Sequence, residues 1–168
     1  WREGQARAAK APFAEALTAA LPGIIDLVGT APPEGFMGPC VLSHCDLNAG
    51  NIWTGQCGLA LIDWEHAGDI PPLWELGAGL VTWAIGPDGA VDAGAANALA
   101  RGYGAACALD IGVFAGAVSA HLNWSLNRAH AALTHRDADE RARAADEACK
   151  LFATPLGVNQ LNLLLDAL

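Results

Sequence analysis

Asp46, Asn51 and Asp63 are the residues of this sequence whose types and spacing could do chemistry together. Asp46 and Asn51 lie in the loop S-H-C-D-L-N-A-G-N over residues 43–51, and Asp63 closes the run G-L-A-L-I-D over residues 58–63. Residues 51–54 and 58–63 are both β-prone, and the short G-Q-C segment between them reads as a turn, so the spacing predicts a hairpin. With the turn centred near Gln56 or Cys57, antiparallel pairing sets Asn51 roughly opposite Asp63 and brings Asp46 to the same end. Two carboxylates and a carboxamide converging there make an oxygen-donor site for a hard divalent cation. Mg²⁺ takes only one or two protein ligands and leaves its other positions to water and phosphate oxygens, a part that suits Asn51 and Asp63. Asp46, on the loop, would meet an acceptor hydroxyl and orient or take its proton, a task that calls for position rather than unusual basicity. Asp, Asn and Gly also gather in loops for backbone reasons alone. Their coupling to a hairpin ending in Asp63 is what favours the chemical reading.

The elements that must position these residues are legible in outline. Residues 7–27 are rich in Ala and Leu, with Phe13, Leu17 and Leu21 at helical spacing, and Pro22-Gly23 predicts a break into two helical pieces. Three prolines and two glycines within residues 30–39 exclude regular structure there, after which Cys40, Val41 and Leu42 form a short apolar strand. Beyond Pro71-Pro72 the pattern is helical: Leu73, Leu76, Leu80 and Ala84 mark one helix and residues 91–108 a second. Ile111 through Leu133 mark a long amphipathic third. Residues 137–152 are charged on most faces, acidic early and with Lys150 late, as the helix dipole prefers, and read as a solvated helix. A final apolar helix over residues 158–168 packs back on the core.

Composition narrows the function classes. The 168 residues are 53% hydrophobic, enough for one globular domain with a buried core, and carry 18 acidic against 9 basic side chains, a net charge of −9. That balance argues against a nucleic-acid backbone as partner, which needs clustered Lys and Arg. Cationic small molecules fit better, although acidic surfaces also serve solubility. Cys40, Cys45, Cys57, Cys107 and Cys149 are odd in number and follow no framework spacing, so they read as reduced thiols in a cytoplasmic protein. Cys40, His44, Cys45 and Cys57 lack the paired knuckles of a structural zinc site. The longest apolar stretch, residues 76–86, falls short of the ~20 residues of a membrane span, and no signal peptide is visible. The chain opens on Trp1 rather than Met, which reads as a piece whose preceding segment was removed.

The run H-C-D-L-N-A-G-N over residues 44–51 resembles the H-x-D-x-x-x-x-N catalytic loop of aminoglycoside phosphotransferases, choline kinases and protein kinases, and I-D-W-E over residues 62–65 is similar to their metal-binding Asp motif. The resemblance implies a mainly α, α+β fold: the C-terminal lobe of the protein-kinase-like type, a helical bundle with a small β-hairpin carrying the catalytic loop, as a single domain over residues 1–168. It implies Asp46 as catalytic base, Asn51 and Asp63 as Mg²⁺ ligands, and His44 as a brace of the loop. Glu75, in G-D-I-P-P-L-W-E-L over residues 68–76, stands where the family has an acidic residue that accepts hydrogen bonds from the loop backbone. Its position near a helix start would be favourable through the dipole alone. Cys45 stands where Gly is common, Ala49 where Pro is common, and Glu75 where many relatives have Asp. Neither Cys45 nor Ala49 is expected to matter, since neither side chain does chemistry.

On the acceptor side, Glu65 is a candidate, with an exposed carboxylate as the alternative. Trp124 is another, with a core or rim position as the alternative. Trp83, Tyr103 and the Asn123-Trp124 pair resemble in arrangement the family's substrate-binding helices. The family also needs a glycine-rich hairpin over the ATP phosphates and a strand lysine. This sequence holds neither, its only lysines being Lys10 and Lys150 in helical settings. The expected function is therefore ATP-dependent phosphorylation of a small-molecule hydroxyl, by a C-terminal lobe that works when joined to its missing N-terminal lobe. The competing readings are a non-catalytic ligand-binding or regulatory lobe, and a metal-dependent phosphohydrolase using the same three residues.

Overall fold

A computed structural model describes residues 2–30, 39–56, 58–104 and 109–168. In chain order the elements are α1 (Arg2–Ala8), α2 (Ala14–Gly29), β1 (Val41–Ser43), β2 (Ile52–Gly55), β3 (Gly58–Leu61), β4 (Gly68–Ile70), α3 (Pro72–Ala84), α4 (Ala93–Tyr103), α5 (Ala115–Thr134), α6 (Ala138–Ala153) and α7 (Val158–Asp166). Single 3₁₀ turns occur at Ala49–Asn51, Trp64–His66 and Ile111–Phe114. The described residues are mostly helical with two small antiparallel ladders, an α+β arrangement. It divides into two compact units.

The first unit takes in the chain up to Thr30, Pro87–Gly89 and Val118–Val158. Here α2 packs against α1 and α6 over a core that includes Phe13, Leu17, Ala20, Ala129, Ala148 and Phe152. The expected break at Pro22-Gly23 does not occur. The break falls earlier, where α1 ends with Lys10 in the left-handed region (φ 52°) and the Ala11 amide bonds back to the Ala6 carbonyl, a Schellman-type closure. Pro22 lies inside α2 on its exposed face, so water can satisfy the carbonyl that its missing N–H leaves over, while buried Leu17, Ala20 and Leu27 carry the helix across it. Asp137 caps α6 by accepting from the Asp139 and Glu140 amides, so the charged stretch begins where the sequence placed it.

The second unit takes in Ala31–Gly86, Ala90–Ala117 and Asn159–Leu168. Its buried residues include Leu76, Leu80 and Ala84 of α3, Ala96 of α4, Val113 and Phe114 of the 3₁₀ turn, and Leu161 and Leu164 of α7. Two ladders stand on this base. β1 pairs with β4, matching Ser43 with Gly68, and β2 pairs with β3, matching Ile52 with Leu61 and Gly55 with Gly58. The hairpin is therefore present, with strands Ile52–Gly55 and Gly58–Leu61 in place of the expected 51–54 and 58–63, and its register differs by one. Asn51 lies across from Ile62, whose amide bonds to the Asn51 carbonyl at 3.0 Å, so Asp63 falls one residue beyond. α3 starts where Pro71-Pro72 predicted, and its first-turn Pro costs no hydrogen bond. α4 ends earlier than expected, at Tyr103, because Gly104 turns into the left-handed region and closes the helix. Residues 31–38 of the expected loop, Cys57 of the turn, and Cys107 with the end of the stretch 91–108 lie outside the described residues. Among those described, no helix is long and apolar enough to cross a membrane.

Candidate active site

The β1–β4 ladder delivers Ser43 and His44 into the interior, each only 2% exposed. Polar groups buried so deeply need partners, and Glu75 supplies them. Its carboxylate accepts from the Ser43 hydroxyl at 3.0 Å and from the His44 amide at 3.3 Å. Glu75 sits in the first turn of α3, where a negative charge is favoured. The helix-start reading and the loop-bracing reading thus describe one geometry.

The His44 ring meets the Ile62 carbonyl through Nε2 at 2.8 Å. A carbonyl can only accept, so Nε2 carries the proton, and Nδ1, buried, has no hydrogen-bond partner among the described residues. The ring also packs on Trp64, centroids 4.8 Å apart and planes tilted by 59°. His44 therefore ties the loop to Ile62, the residue just before Asp63.

Cys45 follows with φ 61°, a left-handed conformation that residues bearing a Cβ rarely adopt. Its replacement of the common Gly is thus not neutral: the side chain does no chemistry, but the backbone needs the shape that glycine takes freely. Asp63 is left-handed as well, with φ 65° and ψ 60°.

Asp46 is held by two carboxamides. Asn51 Nδ2 donates to its backbone carbonyl at 2.9 Å and to its Oδ2 at 3.0 Å. Asn48 Nδ2 donates to Oδ1 at 3.1 Å, and the Asn48 amide to the Asp46 carbonyl at 3.0 Å. Both partners of Asn51 Nδ2 are pure acceptors, which fixes the amide orientation and leaves Oδ1 for another ligand. Asn51 is 8% exposed. Asn48 also accepts from the Gly50 amide at 2.8 Å and so caps the 3₁₀ turn that delivers Asn51. That Asx role could have been read from the N-A-G sequence.

Asp46 and Asn51 are thus joined directly, while Asp63 is exposed and leaves β3 at the same end of the hairpin. The donor types fit Mg²⁺ chemistry: a carboxamide oxygen without a hydrogen-bond donor among the described residues, and an exposed carboxylate, are oxygen groups of the kind that ion accepts from a protein. Among the described residues no group of three or more His, Cys, Asp or Glu is gathered for a metal. Two further contacts escaped the sequence reading. The Trp83 indole donates to the Leu47 carbonyl at 3.0 Å, and the Tyr103 hydroxyl donates to the Pro72 carbonyl at 2.7 Å, near Glu75.

Glu65 is exposed, with His66 Nε2 3.5 Å from its carboxylate. Trp124 belongs to the first unit, where it is 51% exposed and lies under the Arg128 guanidinium, 4.6 Å from the ring centroid.

No curated protein and no solved structure matches this chain. A family model described as "Phosphotransferase enzyme family" matches residues 1–109, a span that takes in the loop, the hairpin, α3 and α4.

Proposed function

Because this chain belongs to the phosphotransferase enzyme family, we propose that it carries the acceptor-activating half of an ATP-dependent small-molecule kinase. Asp46 is the catalytic base, and Asn51 and Asp63 are the protein ligands of Mg²⁺. The single observation that carries this reading is the double hold of Asn51 Nδ2 on Asp46, at its backbone and at its carboxylate. A simple turn would need only the backbone bond. The carboxylate bond aims Asp46 and at the same time turns Asn51 Oδ1 toward another ligand.

In this reading the acceptor hydroxyl oxygen forms a bond to the γ-phosphorus of ATP as the bond from phosphorus to the β,γ-bridging oxygen breaks. ADP departs, and the hydroxyl proton passes to an Asp46 oxygen. The transition state is loose, so Asp46 orients the hydroxyl early and takes its proton late. Mg²⁺, when bound, offsets the charge on the phosphates. His44 and Glu75 keep the loop in register with the hairpin. The phosphates of ATP are gripped by an N-terminal lobe outside this sequence. The chain's net charge of −9 suits a cationic acceptor, and cysteines without a disulfide-framework spacing support a cytoplasmic enzyme.

The test uses the complete enzyme with Mg²⁺–ATP and a panel of hydroxyl acceptors: aminoglycosides, macrolides, choline and homoserine. Asp46→Asn should lower kcat by about 10²- to 10⁴-fold, the range of general-base catalysis, with ATP binding retained. Full activity in that variant, or metal-dependent nucleotide binding that survives Asp63→Ala, contradicts the assignment. Phosphate-ester hydrolysis abolished by Asp46→Asn, without transfer to any acceptor, would favour a phosphohydrolase instead.

A further inference from the structure

Helix α3 touches the loop at two points, one on each side of Asp46. Glu75, in its first turn, takes the Ser43 hydroxyl and the His44 amide ahead of Asp46. Trp83, eight residues on and about 12 Å further along the axis at 1.5 Å per residue, takes the Leu47 carbonyl just after it.

The second contact acts on a single peptide unit. The carbonyl of Leu47 and the N–H of Asn48 belong to the same rigid plane. Trp83 holds the carbonyl end at 3.0 Å, and the Asp46 carbonyl holds the N–H end at 3.0 Å. Rotation of that plane breaks both bonds and carries the Asn48 side chain with it. Asn48 Nδ2 is what reaches Asp46 Oδ1, and Asn48 Oδ1 is what receives the Gly50 amide. An indole nitrogen is a donor only, so the bond to Leu47 uses the whole polar capacity of Trp83. We propose that Trp83 is a positioning residue for Asp46, locking the Leu47–Asn48 peptide so that Asn48 keeps its hold on the carboxylate. The inference rests on the reading of Asp46 as catalytic base.

Trp83→Phe keeps an aromatic ring and removes the N–H. Two measurements test it: amide hydrogen exchange of Asn48 and Gly50 by NMR on this chain, and turnover in the complete enzyme. The turnover probe is Mg²⁺–ATP with water as acceptor, so that ADP and inorganic phosphate are the products, together with any acceptor found active. The lock predicts faster exchange at both amides and a kcat about fivefold lower, the effect of one lost hydrogen bond, with KM values within about twofold. Unchanged exchange overturns the lock. Faster exchange with unchanged kcat reduces Trp83 to a structural brace and overturns the positioning role. A raised acceptor KM at constant kcat makes it an acceptor-stacking residue instead, and also overturns it. In the wild type the Trp83 indole proton should exchange as slowly as the Asn48 amide, and fast indole exchange alone would overturn the lock without any variant. A wild-type enzyme that never transfers or hydrolyses phosphate refutes the reading of Asp46, and the exchange data then decide the lock by themselves.

Discussion

Gly77 lies on the buried side of α3, and its lack of a side chain is what lets that helix approach the 3₁₀ turn Ile111–Phe114. A Cβ at this position would stand 2.1 Å from the Val113 carbonyl oxygen, 2.8 Å from its carbon and 3.2 Å from the Phe114 Cα. Non-bonded carbon contacts settle near ~3.5 Å, and the obstacle is backbone, which cannot swing aside as a side-chain tip would. Gly77→Ala must therefore push α3 off the turn. Overpacking of this kind costs about 1–3 kcal/mol, and the shortfall in distance places it at the upper end. Alanine returns about 1 kcal/mol through helix propensity, leaving a net loss of about 2 kcal/mol, or roughly 4–8 °C in melting midpoint for a chain of this size. Gly79 supplies the control. It lies in the same helix with nothing within 4 Å of its built Cβ, so Gly79→Ala should gain about 1 kcal/mol from propensity alone. Thermal and urea melts of the two variants should thus differ by about 3 kcal/mol in opposite directions. Because α3 carries both Glu75 and Trp83, Gly77→Ala should also speed amide exchange at Asn48. Equal stability of the two variants would refute the close approach of helix and turn, and with it the account of how α3 is held against the loop.

Glu75→Gln trades an acceptor oxygen for a donor facing either the Ser43 hydroxyl or the His44 amide. It should lose about 1.5–3 kcal/mol in urea melts, the worth of a hydrogen bond to a charged group, and depress turnover of the complete enzyme without changing its acceptor preference. Burial holds the His121 imidazole below its ordinary value of 6.5, in apolar surroundings that include Ile24, Leu27, Leu126 and Phe152. Its contribution to stability is complete above pH 6.5 and lost as the pH falls through the lower folded value. His121→Leu should flatten the acid limb of a pH–stability curve. Partial burial first, then the negative charge of Glu75, hold the Tyr103 hydroxyl above its ordinary value of 10.0. Its contribution is complete below pH 10.0 and lost as the pH rises toward the folded value. Tyr103→Phe should flatten the alkaline limb, and an unaltered limb in either variant would show that another group sets it.

How much of this was legible depended on how local each signal was. The H-C-D-L-N-A-G-N loop and the Pro-Pro start of α3 could be read because cap, turn and proline chemistry act over a few residues. The hairpin strands were equally plain. Its register was not, because moving the turn centre by half a residue exchanges Asp63 for Ile62 across from Asn51, and no side-chain alternation in these short strands fixes the choice. Pro22 misled because tertiary packing of Leu17, Ala20 and Leu27 outweighs a local breaker. The pairing of β1 with β4 was missed altogether, since two three-residue strands separated by the whole hairpin leave no periodicity to find. The polar ends of Trp83 and Tyr103 reach backbone carbonyls, one of them 36 residues away in sequence, a contact that side-chain spacing along a helix cannot reveal.

The left-handed backbone at Cys45 has a further consequence. A residue bearing a Cβ in that region carries on the order of 1–2 kcal/mol of strain, so the loop does not hold its shape by local preference. It is held from outside, by Glu75 ahead of Asp46, by Trp83 behind it and by His44 across to the hairpin. A peptide spanning residues 43–51 would relax out of it, and the intact chain would lose it when α3 detaches. Melting of the second unit and collapse of the Asp46 geometry are then one cooperative event, and heat or denaturant should extinguish the site and the fold at the same midpoint.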